Sequence, residues 1–582
     1  PRAPQKQDHR NSGDKLENLR IILWAAFAML LYATYSQWSY DPTEQRAAAQ
    51  ELSSENPRAK TPTANTSEPY NNGVLGLSDA IPTINTNSPA KDDMPPTLVT
   101  DVLRNNVLEI HINPNKGADI VGAKLLTYHP TKKEVDTPVE LLSLNNEGYH
   151  YFQTGLISVR GGDEANHTKP FKRLSGFSSN ERGGQVKYAY DLVDSTFNKT
   201  GLRIIKTYSL KKDSFSVDLD YEVINNSRSE YNFVQYAQLV KRNAEVERSM
   251  FDVETYSFDG GIIYNGDSYE KLDSEDLAEN QYSQTHTSGW AANIKHHFLV
   301  AFVPPANEPF KFEATHKKEA RLDKLSAISL ETRTVYPSTK EKVGMQLFIG
   351  PKLQSELRKT REGLELSVDY GKLSFLATPL FWLLENIHKY VGNWGLSIIL
   401  VTLLIKLVFF RLTESSGKSM AKMRELAPRI KAIQDRYKDD KQAQSKATME
   451  LYQKEKVNPM AGCLPMFIQI PFFIAFYWVL LESVEIRQAP FFLWIDDLSS
   501  RDPYFVLPIL MGLGMWFQQK LNPAPPDPTQ AKVMSILPVM FTGMFAWFPS
   551  GLVLYWLSNS LLSIAQQWRI NRKIGTKAEG SG

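Results

Sequence analysis

The residues of this chain with the most capacity for chemistry lie among its least polar ones. Lys406 sits in SIILVTLLIKLVFF, Ser397 to Phe410, a run with no other charge. A lysine near the centre of a bilayer costs about 2.5–3.5 kcal/mol on insertion scales, so such a residue is a functional candidate by default. At about 100° per helical residue, Gly395, Thr402 and Thr413 fall within about 40° of it. A second polar stripe, Tyr555, Asn559, Ser563 and Gln566, follows at helical spacing in another apolar segment, and Gln469 lies within MFIQIPFF. Polar side chains on several spans fit a set that faces one another around water. The same groups also serve as interhelical hydrogen bonds, worth roughly 0.6 kcal/mol each. Lys406 is five residues before Arg411, about 7.5 Å along a helix, within reach of headgroups by snorkelling. Spacing alone leaves both readings open.

What is missing narrows the chemistry. The five apolar segments Trp394–Phe410, Leu464–Leu481, Tyr504–Phe517, Val533–Phe548 and Leu552–Trp568 contain no Asp or Glu. Lys406 therefore has no counter-ion among them, which weighs against an ion or solute channel or transporter, the alternative function class. SGKS at Ser416 to Ser419 lacks the first glycine of a phosphate loop, because position 412 is Leu412. There is no H-E-x-x-H and no G-x-S-x-G, and His296 and His297 read as ordinary strand residues. A Ser–Lys dyad at Lys406 would find threonine and glycine on its face, not serine. One cysteine, Cys463, rules out an internal disulfide and any multi-cysteine metal site. No catalytic residue, cofactor or metal ligand is expected, and the chain is not read as an enzyme.

The elements that must position these residues form a membrane protein with a large water-exposed insert. Residues 1–20 are polar and basic; 21–38, IILWAAFAMLLYATYSQW, are uncharged and fit transmembrane helix 1 as an uncleaved signal anchor. Residues 39–97, rich in Pro, Ser, Thr and Asn, fit a disordered tether. From 98 to 350 the pattern turns to period two. FSVDLDYEV puts Phe215, Val217, Leu219, Tyr221 and Val223 on one face, and KKD joins it to LRIIKTYSL as a hairpin, the mark of an all-β sandwich. Residues 351–392 form a connector and an amphipathic helix lying in the membrane interface. Further spans are expected at 393–411, 461–482, 503–519, 533–548 and 552–568, making six, with a turn at 549–551 and a short loop at 520–532. Between the second and third spans, 412–460 repeats Met420, Met423, Leu426, Ile430, Ile433 and Tyr437 at helical spacing and fits a helical hairpin in water. Residues 411–460 hold twelve Lys/Arg against seven Asp/Glu, whereas Glu482–Asp502 holds five acids and two arginines. The basic excess puts the N-terminus, the hairpin and the tail 569–582 in the cytoplasm, and the β domain and the loop 483–502 outside.

The ordered blocks VGNWGLSIILVTLLIKLVFFRLT, SMAKMRELAPRIKAIQDRY, EKVNPMAGCLPMFIQIPFFIAFYWVL, EIRQAPFFLWIDDLS, DPYFVLPILMG and WFPSGLVLYWLSN, spanning Tyr370 to Lys573, resemble the YidC/Oxa/Alb family of membrane protein insertases. The β region, from TDVLRNNVLEIHINPNKGADIVGAKLL to GWAANIKHHFLVAFVP, resembles the periplasmic domain of Gram-negative members. The resemblance implies a five-helix insertase core in the bacterial inner membrane, with both termini cytoplasmic and the β domain periplasmic. It implies an insertase and chaperone that works without nucleotide hydrolysis, alone or with the Sec translocon, on nascent membrane proteins in contact with lipid. Ribosome contact would be weak or transient, and no nucleic acid is read directly. By match to the family pattern, Thr402, Lys406, Gln469, Tyr555 and Trp556 would line a hydrophilic groove, and the polar stripe adds Asn559. Many relatives carry Arg where this chain has Lys406, which keeps the charge but loses a fork of donors. Arg411 stands where relatives often have Pro, so the helix is expected to continue through it.

Overall fold

The chain divides into two units, Pro1–Glu68 and Pro69–Gly582. A computed structural model describes residues 81, 100–145, 148–243, 258–438, 440–455, 457, 464–521 and 528–579, all in the second unit. The expected anchor at 21–38, and every residue of the expected tether except Ile81, lie outside the described residues. Ile81 is buried with Ile157, Val234, Tyr236 and Ile328, so the tether segment packs on the β domain at that residue.

Alternation builds the sandwich. In Ser216–Asn225 the residues Val217, Leu219, Tyr221 and Val223 are all buried, while those between them stay partly or fully exposed. Lys199–Lys211 pairs with it antiparallel, setting Leu219 opposite Tyr208 and Val223 opposite Ile204. Asp213 in the connecting turn takes φ 55°, a left-handed position that aspartate tolerates better than most residues. Among the described residues two ten-stranded sheets result, with antiparallel pairing throughout. One runs from the edge strand Asp101–Arg104 to Tyr282–Thr287, the other from Tyr269–Leu272 to Lys172–Arg173. Their inner faces meet in large aromatics: Phe302 of one sheet lies 6.3 Å from Phe152 and 6.5 Å from Phe312 of the other. Each such side chain contributes about 1.5–3 kcal/mol on burial. The core also encloses an ion pair, Lys206 to Asp119 at 3.4 Å, with Lys206 Nζ donating to the Gly117 carbonyl at 2.8 Å.

The helical part contains α1 (Ser374–Val391), α2 (Trp394–Val408), α3 (Phe410–Arg436), α4 (Lys441–Lys454), α5 (Leu464–Glu482), α6 (Val506–Leu521), α7 (Pro528–Phe545) and α8 (Ser550–Glu579). α1 is two-faced as expected. Ala377, Leu380, Phe381 and Leu384 are buried, and Phe375, Trp382 and Tyr390 are exposed. Among the described residues no single helix is long and apolar enough to cross a membrane alone. One bent pair meets that requirement together, α2 with Phe410–Ser419 of α3, turned by 62°.

That bend corrects the expected continuous helix through Arg411. The helix stops at Phe409, whose N–H is shared between the Ile405 and Leu407 carbonyls and whose ring meets Phe472 edge-on at 5.3 Å. Thr413, beyond the break, leaves the face of Lys406 and turns its hydroxyl to the Phe409 carbonyl. α8 likewise runs on as helix to Glu579, through most of what the sequence reading treats as a tail.

The sandwich is fastened to the helices at the end of α5. His296 and His297 are not strand residues. They make the turn between Trp290–Lys295 and Phe298–Val303, with His296 at φ 48°. Their rings stack at 3.7 Å, and both Nε2 atoms reach the Leu481 carbonyl, at 3.1 and 3.0 Å. A carbonyl only accepts, so both rings carry their proton on Nε2 in this contact. Beside them Lys352 pairs with Glu482 at 2.9 Å, and Arg487 donates to the carbonyls of His129 and Pro130.

Candidate functional site

The seam between α2, α5 and α8 gathers the candidate residues. Asn393 caps α2 by accepting from the Leu396 N–H, and Thr402 spends its hydroxyl on the Ile398 carbonyl of its own helix at 2.7 Å. The ammonium of Lys406 turns inward, donating to Ser563 Oγ of α8 at 2.7 Å. Ser563 in turn donates to the Asn559 carbonyl at 2.7 Å, so Asn559 takes part through its main chain. Among the described residues no carboxylate pairs with Lys406. Its neighbours Leu403, Leu404, Leu407 and Val408 are all exposed, which makes the outer face of α2 wholly apolar.

Gln469 and Tyr555 meet directly, side chain to side chain, across α5 and α8. The Tyr555 ring stacks on Phe476 at 4.8 Å and on Phe473 at 6.0 Å, which fixes its hydroxyl. Trp556 packs edge-on against Phe473 at 4.6 Å and lies 5.2 Å from Phe545 of α7. The six candidates thus fall into two contacts along one helix face. Lys406 binds the Ser563–Asn559 turn, Gln469 binds Tyr555 a turn earlier, Trp556 walls the latter, and Thr402 is closed off on its own helix. Gly395, on the same wheel as Lys406, is a packing residue instead: a Cβ there would overlap the Phe491 ring.

Ser563, which accepts from Lys406, and Gln566 are the seam residues the candidate set omits. The helical stripe Tyr555–Asn559–Ser563–Gln566 is the signal that points to both. No group of three or more metal-ligating side chains occurs among the described residues.

Two family models match in tandem. The YidC periplasmic domain covers residues 102–383, and the 60Kd inner membrane protein family covers 386–577. A membrane protein insertase YidC of Pseudomonas fluorescens is 40% identical over 561 residues, covering 95% of this chain and 98% of its own. The chain belongs to the YidC insertase family. A membrane protein insertase YidC of Thioalkalivibrio sulfidiphilus is 41% identical over 567 residues, covering 96% of this chain and 99% of its own. Among solved structures, an active YidC insertase with its first transmembrane domain resolved covers 80% of this chain and 91% of its own, at 19% identity and a TM-score of 0.36. The family match spans both parts of the chain, the periplasmic sandwich and the helical part that holds Lys406.

Proposed function

We propose that this chain inserts and helps fold membrane proteins by drawing the hydrophilic tail of a nascent chain into the seam between α2, α5 and α8. The observation that carries this reading is the inward turn of Lys406 onto Ser563, beneath an outer α2 face of exposed leucines. A cation without a carboxylate partner attracts acidic groups on an incoming tail. Gln469, Tyr555, Trp556 and Asn559 line the same path, and Thr402, its hydroxyl held by its own helix, packs behind it. The substrate's apolar segment slides along Leu403, Leu404 and Leu407 into lipid, and its burial there drives the step, so no fuel is required.

In this reading six spans cross the bacterial inner membrane with both termini in the cytoplasm. The bent pair α2–α3 enters from the outer side and leaves through the basic helices α3 and α4. The helical hairpin α3–α4 faces the ribosome, in weak or transient contact, and the Sec translocon is a partner for larger substrates. The net positive charge of 411–460 supports this orientation.

The test is insertion of a small substrate with an acidic N-terminal tail into liposomes carrying the purified chain. Lys406→Ala is expected to lower the insertion rate about tenfold or more, while Lys406→Arg keeps most of it. Native-rate insertion by Lys406→Ala would remove the cation from the mechanism.

A further inference from the structure

Among the described residues, most of the buried polar side chains along the seam have partners. Thr402 bonds the Ile398 carbonyl, Lys406 bonds Ser563, Ser563 bonds the Asn559 carbonyl, and Tyr555 bonds Gln469. Gln566 does not. It is 8% exposed, and among the described residues neither its Nε2 nor its Oε1 has a hydrogen-bond partner. A buried carboxamide left unpaired is costly, so it is retained where another demand outweighs the cost.

Its position says what that demand is. Tyr555, Asn559, Ser563 and Gln566 lie within an arc of about 80° on α8, so Gln566 continues the seam one turn beyond the residue that holds Lys406. One turn further, Ile570 packs against Gly417 of α3. Gln566 therefore sits between the Lys406 contact and the α3–α8 packing, at the level where α2 has ended and the chain has turned by 62°. On the topology proposed above, that is the cytoplasmic mouth of the groove.

We infer that Gln566 binds the main chain of the incoming tail. A carboxamide offers an N–H donor and a C=O acceptor on one planar group, and a peptide unit offers the same pair in return. Such a contact carries no charge and ignores side chains. It differs in kind from Lys406, which selects for acid. The seam then has two functions in series: Gln566 holds any extended polypeptide at the mouth, and Lys406 sorts by charge deeper in. This inference rests on the insertion reading and deepens it.

The experiment compares the full-length native chain with Gln566→Leu, Gln566→Glu and Lys406→Ala in liposomes, using two substrates that differ only in having an acidic or a neutral tail. Gln566→Leu is expected to slow both tails equally, by about three- to tenfold, while its melting temperature stays level or rises because an unpaired amide has gone. Gln566→Glu is expected to slow the acidic tail more than the neutral one, whereas Lys406→Ala slows mainly the acidic tail. Native rates with Gln566→Leu would overturn the inference. So would a parallel fall in rate and melting temperature, which would make Gln566 a structural residue. If the native chain inserts neither tail, the insertion reading itself falls. If Lys406→Ala alone behaves as native, the charge reading falls and the main-chain contact stands.

Discussion

Lys352 and Glu482 form an ion pair at 2.9 Å, both nearly inaccessible to water, where the last strand of the sandwich meets the end of α5. The pair joins the periplasmic part of the chain to the helical part at one buried point. A buried pair of this kind stabilises little against an apolar replacement, but removing one partner strands the other charge.

Glu482→Gln or Lys352→Met alone should therefore weaken the docked interface by about 3–5 kcal/mol, and the double change to Met and Leu should recover most of that. Hydrogen exchange at the last turn of α5, where the Ser483 amide donates to the Val479 carbonyl at 3.2 Å, reports opening of this joint. Equal protection in the single and double variants would remove the pair from the account.

The same joint should respond to pH. Glu485 is pushed up from 4.5 to about 7, mainly by burial, with Glu385 adding to the shift and Lys352 opposing it. A carboxyl raised in the folded state contributes stability that is fully present below pH 4.5 and lost as pH rises through about 7. Burial holds the His297 imidazole well below its usual 6.5, with His296, Lys352 and Arg487 adding to the effect, so its contribution is lost in the opposite direction, as pH falls below 6.5. Glu485→Gln isolates the first effect. Relative to the native chain, it should gain about 2 kcal/mol of interface stability between pH 4.5 and pH 7, read again by hydrogen exchange. A difference that does not change with pH would exclude Glu485 as the titrating group.

Gly395→Ala should destabilise the start of α2 by about 1–3 kcal/mol, because the new methyl enters the space of the Phe491 ring. Asn393, which donates to the Phe491 carbonyl at 2.9 Å, holds that loop in place and prevents easy retreat. Phe491→Leu in the same chain should restore part of the loss in a thermal melt. A melt unchanged by Gly395→Ala would mean that the loop yields freely.

Much of this was legible in the sequence, for a physical reason that also explains the rest. Period two in Ser216–Asn225 and the two-faced pattern of α1 report on burial, and burial is what hydrophobic spacing records. The stripe on α8 and Lys406 on α2 were visible for the same reason, and they meet. Direction is another matter. The break at Phe409 has no Pro or Gly to mark it, because it is held by a ring contact with Phe472. His296 and His297 read as strand because apolar runs flank them on both sides. Their partner is a main-chain carbonyl 184 or more residues away, and a carbonyl has no residue type to read. The partnerless amide of Gln566 was equally out of reach, since spacing shows where a group lies and not whether its hydrogen bonds are made.

The paired imidazoles on Leu481 carry a consequence for how the protein is made. A helix leaves its last carbonyls without partners of its own, and here two side chains of the sandwich fill that need at the end of α5. The sandwich precedes α5 in the chain and so leaves the ribosome first. When α5 emerges, the groups that end it belong to a part of the chain already synthesised. The end of one helix is thus closed by side chains from a domain whose last strand ends more than a hundred residues earlier in the chain.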